Sequence, residues 1–219
     1  MNNKRVTLFA GHYGSGKTNI AVNYALNLSS QGFEVSIGDL DVVNPYFRTK
    51  DSEDELVKAG VKVISLPFAN SSVDLPSLPA EAYSLVQDTS RYAVLDIGGD
   101  DRGAYALGRY RNYILEENNY EMLFVTNFYR PLTRNAADAY GVLKEIEEAC
   151  RMPFTGIVNN TNLGEETTAE MILDTRAELD ELCAITGLKT VMTTVKADLA
   201  EQLYGRLENV FPLTLQAKL

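Results

Sequence analysis

The chain has 219 residues, of which 45% are hydrophobic and 23% are charged, and this balance excludes a wholly disordered or low-complexity protein. Its 20 basic and 30 acidic residues give a formal net charge of −10, which argues against non-specific binding to nucleic acid or to an anionic membrane surface. The length predicts a single domain over residues 1–219. Because no apolar run reaches the roughly 18 residues of a membrane span and no signal-peptide pattern precedes the first strand, we expect a cytoplasmic protein.

Short β-rich runs alternate with helical patterns through the first half of the chain. Ile20, Tyr24 and Leu28 recur at every fourth position, which predicts a helix over residues 17–30 with one buried face. The predicted strands of this half are residues 6–10, 33–38, 61–66 and 92–97. The other predicted helices are residues 52–59 and 103–116.

The second half of the chain continues this alternation. Cys150 and Cys183 lie on the apolar faces of two predicted helices and form no C-x-x-C pair, which favours buried thiols over a metal site or a disulfide. The predicted elements of this half are helices at residues 135–150 and 167–184 and strands at residues 122–126, 154–159 and 188–195. Alternating strands and helices predict an α/β protein, a three-layer α/β/α sandwich with a mainly parallel sheet.

The most specific motif lies between the first strand and the first helix. It matches the pattern G-x-x-x-x-G-K-[ST], in which glycines let successive backbone N–H groups converge on phosphate oxygens. The helix that follows adds the positive end of its dipole. Lys17 is expected to reach the β- and γ-phosphates of a nucleotide, and Thr18 to bind Mg²⁺ through its hydroxyl. The predicted phosphate-binding residues are Gly11, His12, Tyr13, Gly14, Ser15, Gly16, Lys17 and Thr18.

Acidic residues lie just after the second predicted strand and near the end of the fourth. Asp39 and Asp41 point the same way along an extended backbone, at the carboxyl end of a strand, where open α/β sheets bind their ligands. One carboxylate of this pair can hold Mg²⁺ through water while the other orients an attacking water; the alternative is a pair of solvated turn residues. Asp96 ends a Walker-B-like strand before Gly98 and Gly99, and we expect it to complete the Mg²⁺ shell.

The order of these three motifs resembles that of the MinD/ParA/Mrp-like P-loop ATPases, a group that includes the nitrogenase iron protein and the arsenite-pump ATPases. The resemblance covers nearly the whole chain, although only the short motifs are distinctive. It implies the P-loop NTPase fold, ATP or ADP with Mg²⁺ as the cofactor, and dimers in which two ATP molecules face each other. It also implies that Asp41 activates water, that Asp39 supports Mg²⁺ and that the segment after Asp96 is a switch.

The sixth predicted strand ends in an asparagine, and a second asparagine follows it. Asn159 looks like the residue with which the family reads the edge of adenine, and Asn160 is the second choice. An asparagine pair after a strand is equally typical of a plain turn. Three arginines just beyond strand ends or motifs, Arg48, Arg102 and Arg130, are either ordinary surface residues or clamps for phosphate or for a dimer partner.

The chain departs from the family pattern at several points. His12 stands where the family commonly carries a lysine that crosses the dimer interface, so we expect a weaker dimer, with Arg48 as a substitute donor. The same difference makes the sequence of the loop more similar to that of the related dethiobiotin-synthetase and cobyrinate-synthase enzymes. The C-x-x-C site of the Mrp branch is missing, and residues 203–219 lack the basic stripe of the membrane helix of the MinD branch.

The sequence therefore predicts a cytoplasmic, Mg²⁺-dependent ATPase that acts as a nucleotide switch for an unidentified protein partner. The first alternative is an ATP-dependent synthetase or kinase that acts on a small molecule. The second is an ATP-binding scaffold that hydrolyses too slowly for turnover to matter. We expect a nucleotide-dependent homodimer, whereas we expect neither nucleic acid nor a membrane as a partner.

Overall fold

The computed structural model of the chain describes residues 4–40, 53–65, 80–98, 103 and 107–215. The strands of these ranges are β1 (Val6–Ala10), β2 (Val35–Leu40), β3 (Lys62–Ser65), β4 (Tyr92–Ile97), β5 (Tyr120–Thr126), β6 (Gly156–Asn159), β7 (Thr190–Lys196) and β8 (Val210–Leu213). The helices are α1 (Lys17–Ser30), α2 (Glu53–Lys58), α3 (Ala80–Gln87), α4 (Arg111–Glu117), α5 (Ala136–Cys150), α6 (Ala169–Asp174), α7 (Arg176–Thr186) and α8 (Ala200–Leu203). The strands form one sheet in the order β3-β2-β4-β1-β5-β6-β7-β8, and every neighbouring pair is parallel.

Side chains alternate along the strands and build a hydrophobic core on each face of the sheet. Phe9 and Val94 face one side, in one cluster with Ile20 of α1. Leu8 and Leu95 face the other side, in one cluster with buried residues of α3, α4, α5 and α7. Helices therefore cover both faces of the sheet, and the predicted three-layer α/β/α sandwich is confirmed.

The second strand lies two residues further along the chain than the sequence pattern predicts. The pattern indicates residues 33–38, but β2 begins at Val35 and ends at Leu40. Phe33 stays outside the strand and packs against the ring of Tyr92, with 4.7 Å between the ring centroids. The ring of Phe33 stays 37% exposed, so the aromatic contact covers only part of its surface.

Two elements near the carboxyl end of the chain also differ from the prediction. The helix expected at residues 167–184 is split into α6 and α7 at Thr175, whose hydroxyl donates to the backbone oxygen of Ile172 at 3.0 Å. The strand β8 was not predicted, because Pro212 lies within it. A proline is tolerated at the edge of a sheet, and among the strands that the structure describes β8 pairs only with β7.

The helix α3 is a third element that the pattern did not reveal. It packs Leu85 against β2, where a Cβ on Gly38 would lie 2.4 Å from Cδ1 of the leucine. The absence of a side chain at Gly38 therefore lets the helix approach the sheet. The helix expected at residues 103–116 falls partly outside the described ranges, and its described part contains most of α4.

A buried arginine joins several elements at the amino-terminal end of the sheet. Arg5 precedes β1, and its guanidinium donates to the backbone oxygens of Val86 at 3.1 Å and of Arg91 at 3.0 Å. It also forms an ion pair with Glu117 of α4. A buried guanidinium is expensive unless its donors find acceptors, and these partners supply them. The network ties α3, the start of β4 and α4 to the start of β1.

Both cysteines are free thiols. Cys150 is buried, as predicted, and burial raises the pKa of its thiol to about 12. Cys183 is only partly buried, and its Sγ lies 3.4 Å from the hydroxyl oxygen of Thr190. Across the residues that the structure describes, no helix combines the length and the apolar composition needed to cross a membrane.

Candidate functional site

The loop between β1 and α1 needs glycine for two different reasons. Gly14 and Gly16 have φ values of +77° and +93°, in the left-handed region that residues with a side chain rarely adopt. Gly11 is required by a close approach, because a Cβ there would lie 2.3 Å from the backbone oxygen of Val125 in β5. The glycine spacing of the motif therefore follows from the shape of the loop and from its contact with the sheet.

The helix α1 presents an unprotected N-terminus directly after this loop. Its N-cap residue is Gly16, which offers no side-chain cap, and its first turn contains no acidic residue. The first N–H groups of a helix lack intrahelical acceptors, and the helix dipole makes this end positive. This end of α1 is suited to an anion such as a phosphate group.

The backbone carbonyl of His12 accepts two hydrogen bonds within the loop. The Ser15 N–H donates to this oxygen at 3.1 Å, and the ammonium of Lys17 donates to it at 3.2 Å. Lys17 is only 6% exposed, so its charge lies within the loop and not in solvent. The hydroxyl of Ser15 is buried and has no hydrogen-bond partner in the described part of the chain. An anion held by the loop would give this hydroxyl an acceptor.

The three predicted Mg²⁺ ligands come together at the carboxyl ends of β2 and β4. The hydroxyl of Thr18 donates to Oδ2 of Asp96 at 2.5 Å. Asp39 is the partner of Asp96 in the parallel register of these strands, so the two side chains share a face of the sheet. Both carboxylates are buried. Hydroxyl and carboxylate oxygens are donors that Mg²⁺ prefers, so these residues fit a site completed by phosphate and water oxygens.

The described ranges contain no group of three or more His, Cys, Asp or Glu residues arranged to hold a metal ion by themselves. The predicted water-activating residue Asp41 lies outside the described residues, as do Arg48 and Arg102. The backbone beyond β4 is described in part, and a Cβ on Gly103 would lie 2.5 Å from the Cα of Gly98. The chain thus returns close to the end of β4 after Asp96.

Exposed side chains surround the phosphate loop. Tyr13 is 66% exposed, and Nδ1 of His12 lies 3.0 Å from the Tyr13 carbonyl oxygen. Arg130 is also exposed, and its Nε lies 3.9 Å from the position that a Cβ on Gly14 would occupy. Of the three arginines named from the sequence, Arg130 is therefore placed beside the loop.

The two asparagines at the end of β6 have different surroundings. The Asn160 amide donates from Nδ2 to the Ser15 carbonyl at 2.6 Å, and its Oδ1 accepts from the hydroxyl of Thr194 at 2.6 Å. The oxygen of Asn159 instead accepts from the hydroxyl of Thr161 at 2.6 Å. Asn160 thus contacts the phosphate loop directly. The role of either residue in reading adenine stays a prediction.

Asn127 is a buried polar residue that sequence reasoning missed. It follows β5 directly, and its Nδ2 donates to the Asn162 carbonyl at 3.0 Å while its Oδ1 accepts from the Tyr129 N–H at 3.0 Å. These bonds join the loop after β5 to the loop after β6. The available signal was its place at a strand end, the same place that drew attention to Asn159 and Asn160.

A phosphate loop after the first strand, acids at two neighbouring strand ends and a parallel sheet covered on both faces together define the P-loop NTPase fold. No protein-family model and no curated protein matches this sequence. Among solved structures, the chain is similar to the signal recognition particle receptor FtsY from Elizabethkingia anophelis, with 17% identity, a TM-score of 0.52, and coverage of 88% of this chain and 59% of that one. The chain is also similar to FtsY from Mycoplasma mycoides, with 17% identity, a TM-score of 0.59, and coverage of 89% of this chain and 61% of that one.

A further solved structure is the signal recognition particle 54 kDa protein from Aeropyrum pernix in complex with GDP, with 17% identity, a TM-score of 0.53, and coverage of 86% of this chain and 40% of that one. This chain thus spans less than two thirds of the length of each of these structures. The likenesses support the sequence resemblance at the level of the P-loop NTPase fold. The narrower MinD/ParA/Mrp-like branch, the base of the nucleotide and the site roles remain proposals.

Proposed function

We propose that the chain binds a nucleoside triphosphate with Mg²⁺ and hydrolyses it as a switch for a protein partner. The contact between Thr18 and Asp96 carries this proposal, because it joins the last residue of the phosphate-loop motif to the strand-end carboxylate that a Mg²⁺ site requires. A glycine-rich turn that matched the motif by chance would not be expected to place Thr18 against Asp96. The P-loop NTPase fold of the solved neighbours supports the same conclusion.

Nucleotide binding would exchange contacts within the protein for contacts to phosphate. Lys17 would turn its ammonium from the His12 carbonyl to the phosphates, and the N–H groups at the start of α1 would donate to phosphate oxygens. Thr18 and Asp96, supported by Asp39, would hold Mg²⁺, which offsets the negative charge of the phosphates when bound. By the family resemblance, Asp41 would orient the attacking water.

Adenine is the base that we propose, in agreement with the family resemblance. Asn159, the last residue of β6, is the residue that we propose to read the base, since both ends of the Asn160 amide are bonded within the protein. An amide offers one donor and one acceptor side by side, which matches the edge of adenine. The carboxylate of Glu165, in the loop after β6, is paired with Lys196. We therefore do not assign this carboxylate to the binding of the base. A guanine nucleotide is the alternative, supported by the neighbour solved in complex with GDP.

The presence of His12 favours a second candidate function. Without the bridging lysine of the family, the chain also resembles enzymes that use ATP to activate or phosphorylate a small molecule. In that case ATP alone would give almost no turnover, and the acceptor would restore it. We also propose that residues 1–219 form a single nucleotide-binding domain and that the protein is cytoplasmic. A third candidate function is an ATP-binding scaffold that hydrolyses slowly.

The test is titration calorimetry with ATP, ADP and GTP in the presence of Mg²⁺, on the wild type and on Lys17→Ala. A charge-assisted hydrogen bond in a partly buried site is worth about 1.5–3 kcal/mol, so we expect ATP affinity to fall about 10- to 100-fold. Lys144→Ala is the matched control, because Lys144 is an exposed lysine on α5.

Phosphate release is then measured with ATP alone and with candidate partners and metabolites. Equal ATP affinity in the wild type and in Lys17→Ala would contradict nucleotide binding through the loop. A preference for GTP would overturn the adenine assignment while leaving the phosphate site in place.

A further inference from the structure

We propose that the side chains of Asn160 and Thr194 form a tether that holds the phosphate loop in its binding shape; the role in binding rests on the proposed function. Nδ2 of Asn160 donates to the Ser15 carbonyl at 2.6 Å, and Oδ1 accepts from the Thr194 hydroxyl at 2.6 Å. Asn160 is 4% exposed and Thr194 is 2% exposed. Both ends of the amide are therefore engaged inside the protein.

The sheet fixes the position of this tether. The backbone N–H of Asn160 donates to the Thr126 carbonyl at 2.8 Å, which continues the pairing of β5 and β6 past the end of β6. Thr194 belongs to β7, and its hydroxyl also lies 3.3 Å from the Asn159 carbonyl. Because both residues are held by strands, the amide cannot follow the loop if the loop moves.

The bond to Ser15 determines the direction of a neighbouring donor. The Ser15 carbonyl and the Gly16 N–H belong to the same peptide unit, and the described residues contain no cis peptide bond. In a trans peptide the C=O and the N–H point in opposite directions. Holding the Ser15 carbonyl towards Asn160 therefore turns the Gly16 N–H away from the tether.

The tether also explains why glycine stands at position 16. A Cβ on Gly16 would lie 2.1 Å from Nδ2 of Asn160, so the amide occupies the space of a side chain. The φ of +93° at the same residue already favours glycine. Without the tether, the Ser15–Gly16 peptide would be free to rotate, and nucleotide binding would have to order it again.

Hydrogen–deuterium exchange of the peptide that covers residues 11–18 tests the tether in the protein without nucleotide. We expect exchange in this peptide to be several-fold faster in Asn160→Ala, which removes both bonds of the tether, and in Thr194→Val, which removes the bond between Thr194 and Asn160. Thr194→Ser keeps the hydroxyl and should exchange like the wild type. Thr193→Val is the matched control, because Thr193 is equally buried and its side chain lies on the opposite face of β7.

Thermal unfolding and nucleotide affinity are measured on the same variants. We expect Thr194→Val and Thr193→Val to unfold at similar temperatures, while only Thr194→Val weakens ATP binding, by up to about tenfold. Thr194 is not a predicted base-reading residue, so this loss would not be due to base recognition.

The outcomes separate the tether from the proposed function. If the wild type binds no nucleotide but Asn160→Ala and Thr194→Val speed exchange in the loop, the proposed function is wrong and the tether is supported. If the wild type binds ATP and both variants leave exchange and affinity unchanged, the tether is wrong. Faster exchange in Thr193→Val as well as in Thr194→Val would also overturn it, because the effect would then be a general loosening of β7.

Discussion

A partly buried carboxylate of β5 lies close to α1, away from the proposed chemistry. Glu121 accepts a hydrogen bond from the Thr7 hydroxyl at 3.1 Å, and the Tyr24 hydroxyl lies 3.5 Å from the same oxygen. Burial raises the pKa of Glu121, although these two hydrogen bonds and the charge of Lys4 act in the opposite direction. Burial also raises the pKa of Tyr24 to about 12. The folded state therefore favours the protonated form of Glu121.

We expect the ionisation of Glu121 to lower the stability of the fold. Because the pKa is higher in the folded state, the stabilising contribution is complete below the ordinary pKa of 4.5 and is lost as the pH rises through the raised pKa. Glu121→Gln removes this titration, so the fall in the free energy of unfolding between about pH 4 and about pH 8 should be smaller than in the wild type.

Urea unfolding at both pH values measures this difference. Glu145→Gln, at an exposed glutamate of α5, changes the net charge equally and should behave like the wild type. The same pH dependence in Glu121→Gln and in the wild type would show that this carboxyl does not contribute.

At the scale of elements, the edge strand β8 is held by a side chain of α1 as well as by β7. Nδ2 of Asn23 donates to the Thr214 carbonyl at 3.0 Å, and Oδ1 accepts from the Thr214 N–H at 2.8 Å. The amide thus pairs with the backbone much as a neighbouring strand would. This pairing helps to keep a four-residue strand that contains Pro212 in the sheet.

Asn23→Ala should loosen β8 without unfolding the chain. Both hydrogen bonds with Thr214 are lost, each worth about 1 kcal/mol, so we expect amide exchange in residues 210–214 to rise about tenfold or more. Mass spectrometry of peptides after exchange provides the measurement. Asn27→Ala is the control on the same helix, because Asn27 is exposed and accepts hydrogen bonds from Gln31. Equal exchange in both variants would mean that Asn23 does not hold the strand.

Periodicity and short motifs could predict α1, the phosphate loop and the parallel sheet, because each depends on residues close together in the chain. The strand β8 could not be predicted in this way, since one of the contacts that hold it joins Asn23 to Thr214, 191 residues away in the chain. At the site, the order of the motifs anticipated the meeting of Thr18 and Asp96. The contact of Thr194 with Asn160 could not be predicted from the sequence, because nothing in a β-rich run shows which polar partner a threonine has.

At the scale of the whole molecule, the charge of the chain opposes its own association. Each copy carries a formal net charge of −10, so two copies repel each other at low ionic strength. The proposed dimer would also bring two triphosphates close together. His12 stands where the family that the sequence resembles commonly carries a bridging lysine, so the ammonium of that lysine is missing from the proposed interface.

We expect an ATP-dependent dimer that is weak and becomes stronger as salt screens the repulsion. Light scattering of Asp41→Asn, a variant expected to hydrolyse slowly, with ATP, with ADP and without nucleotide would detect it, at about 0.05 M and about 0.5 M salt. His12→Lys should strengthen the ATP-bound dimer at low salt. The same mass in all three states, at tens of micromolar protein, would contradict the dimer and favour the small-molecule enzyme.

The network around Arg5 lies at one end of the sheet, and the phosphate loop, Asp39 and Asp96 lie at the other. Substitutions at the strand ends near the loop can therefore alter the ligand or the reaction while the arginine and its acceptors continue to stabilise the same architecture. The architecture and the ligand site can therefore be altered separately by substitution, because each depends on a different set of positions.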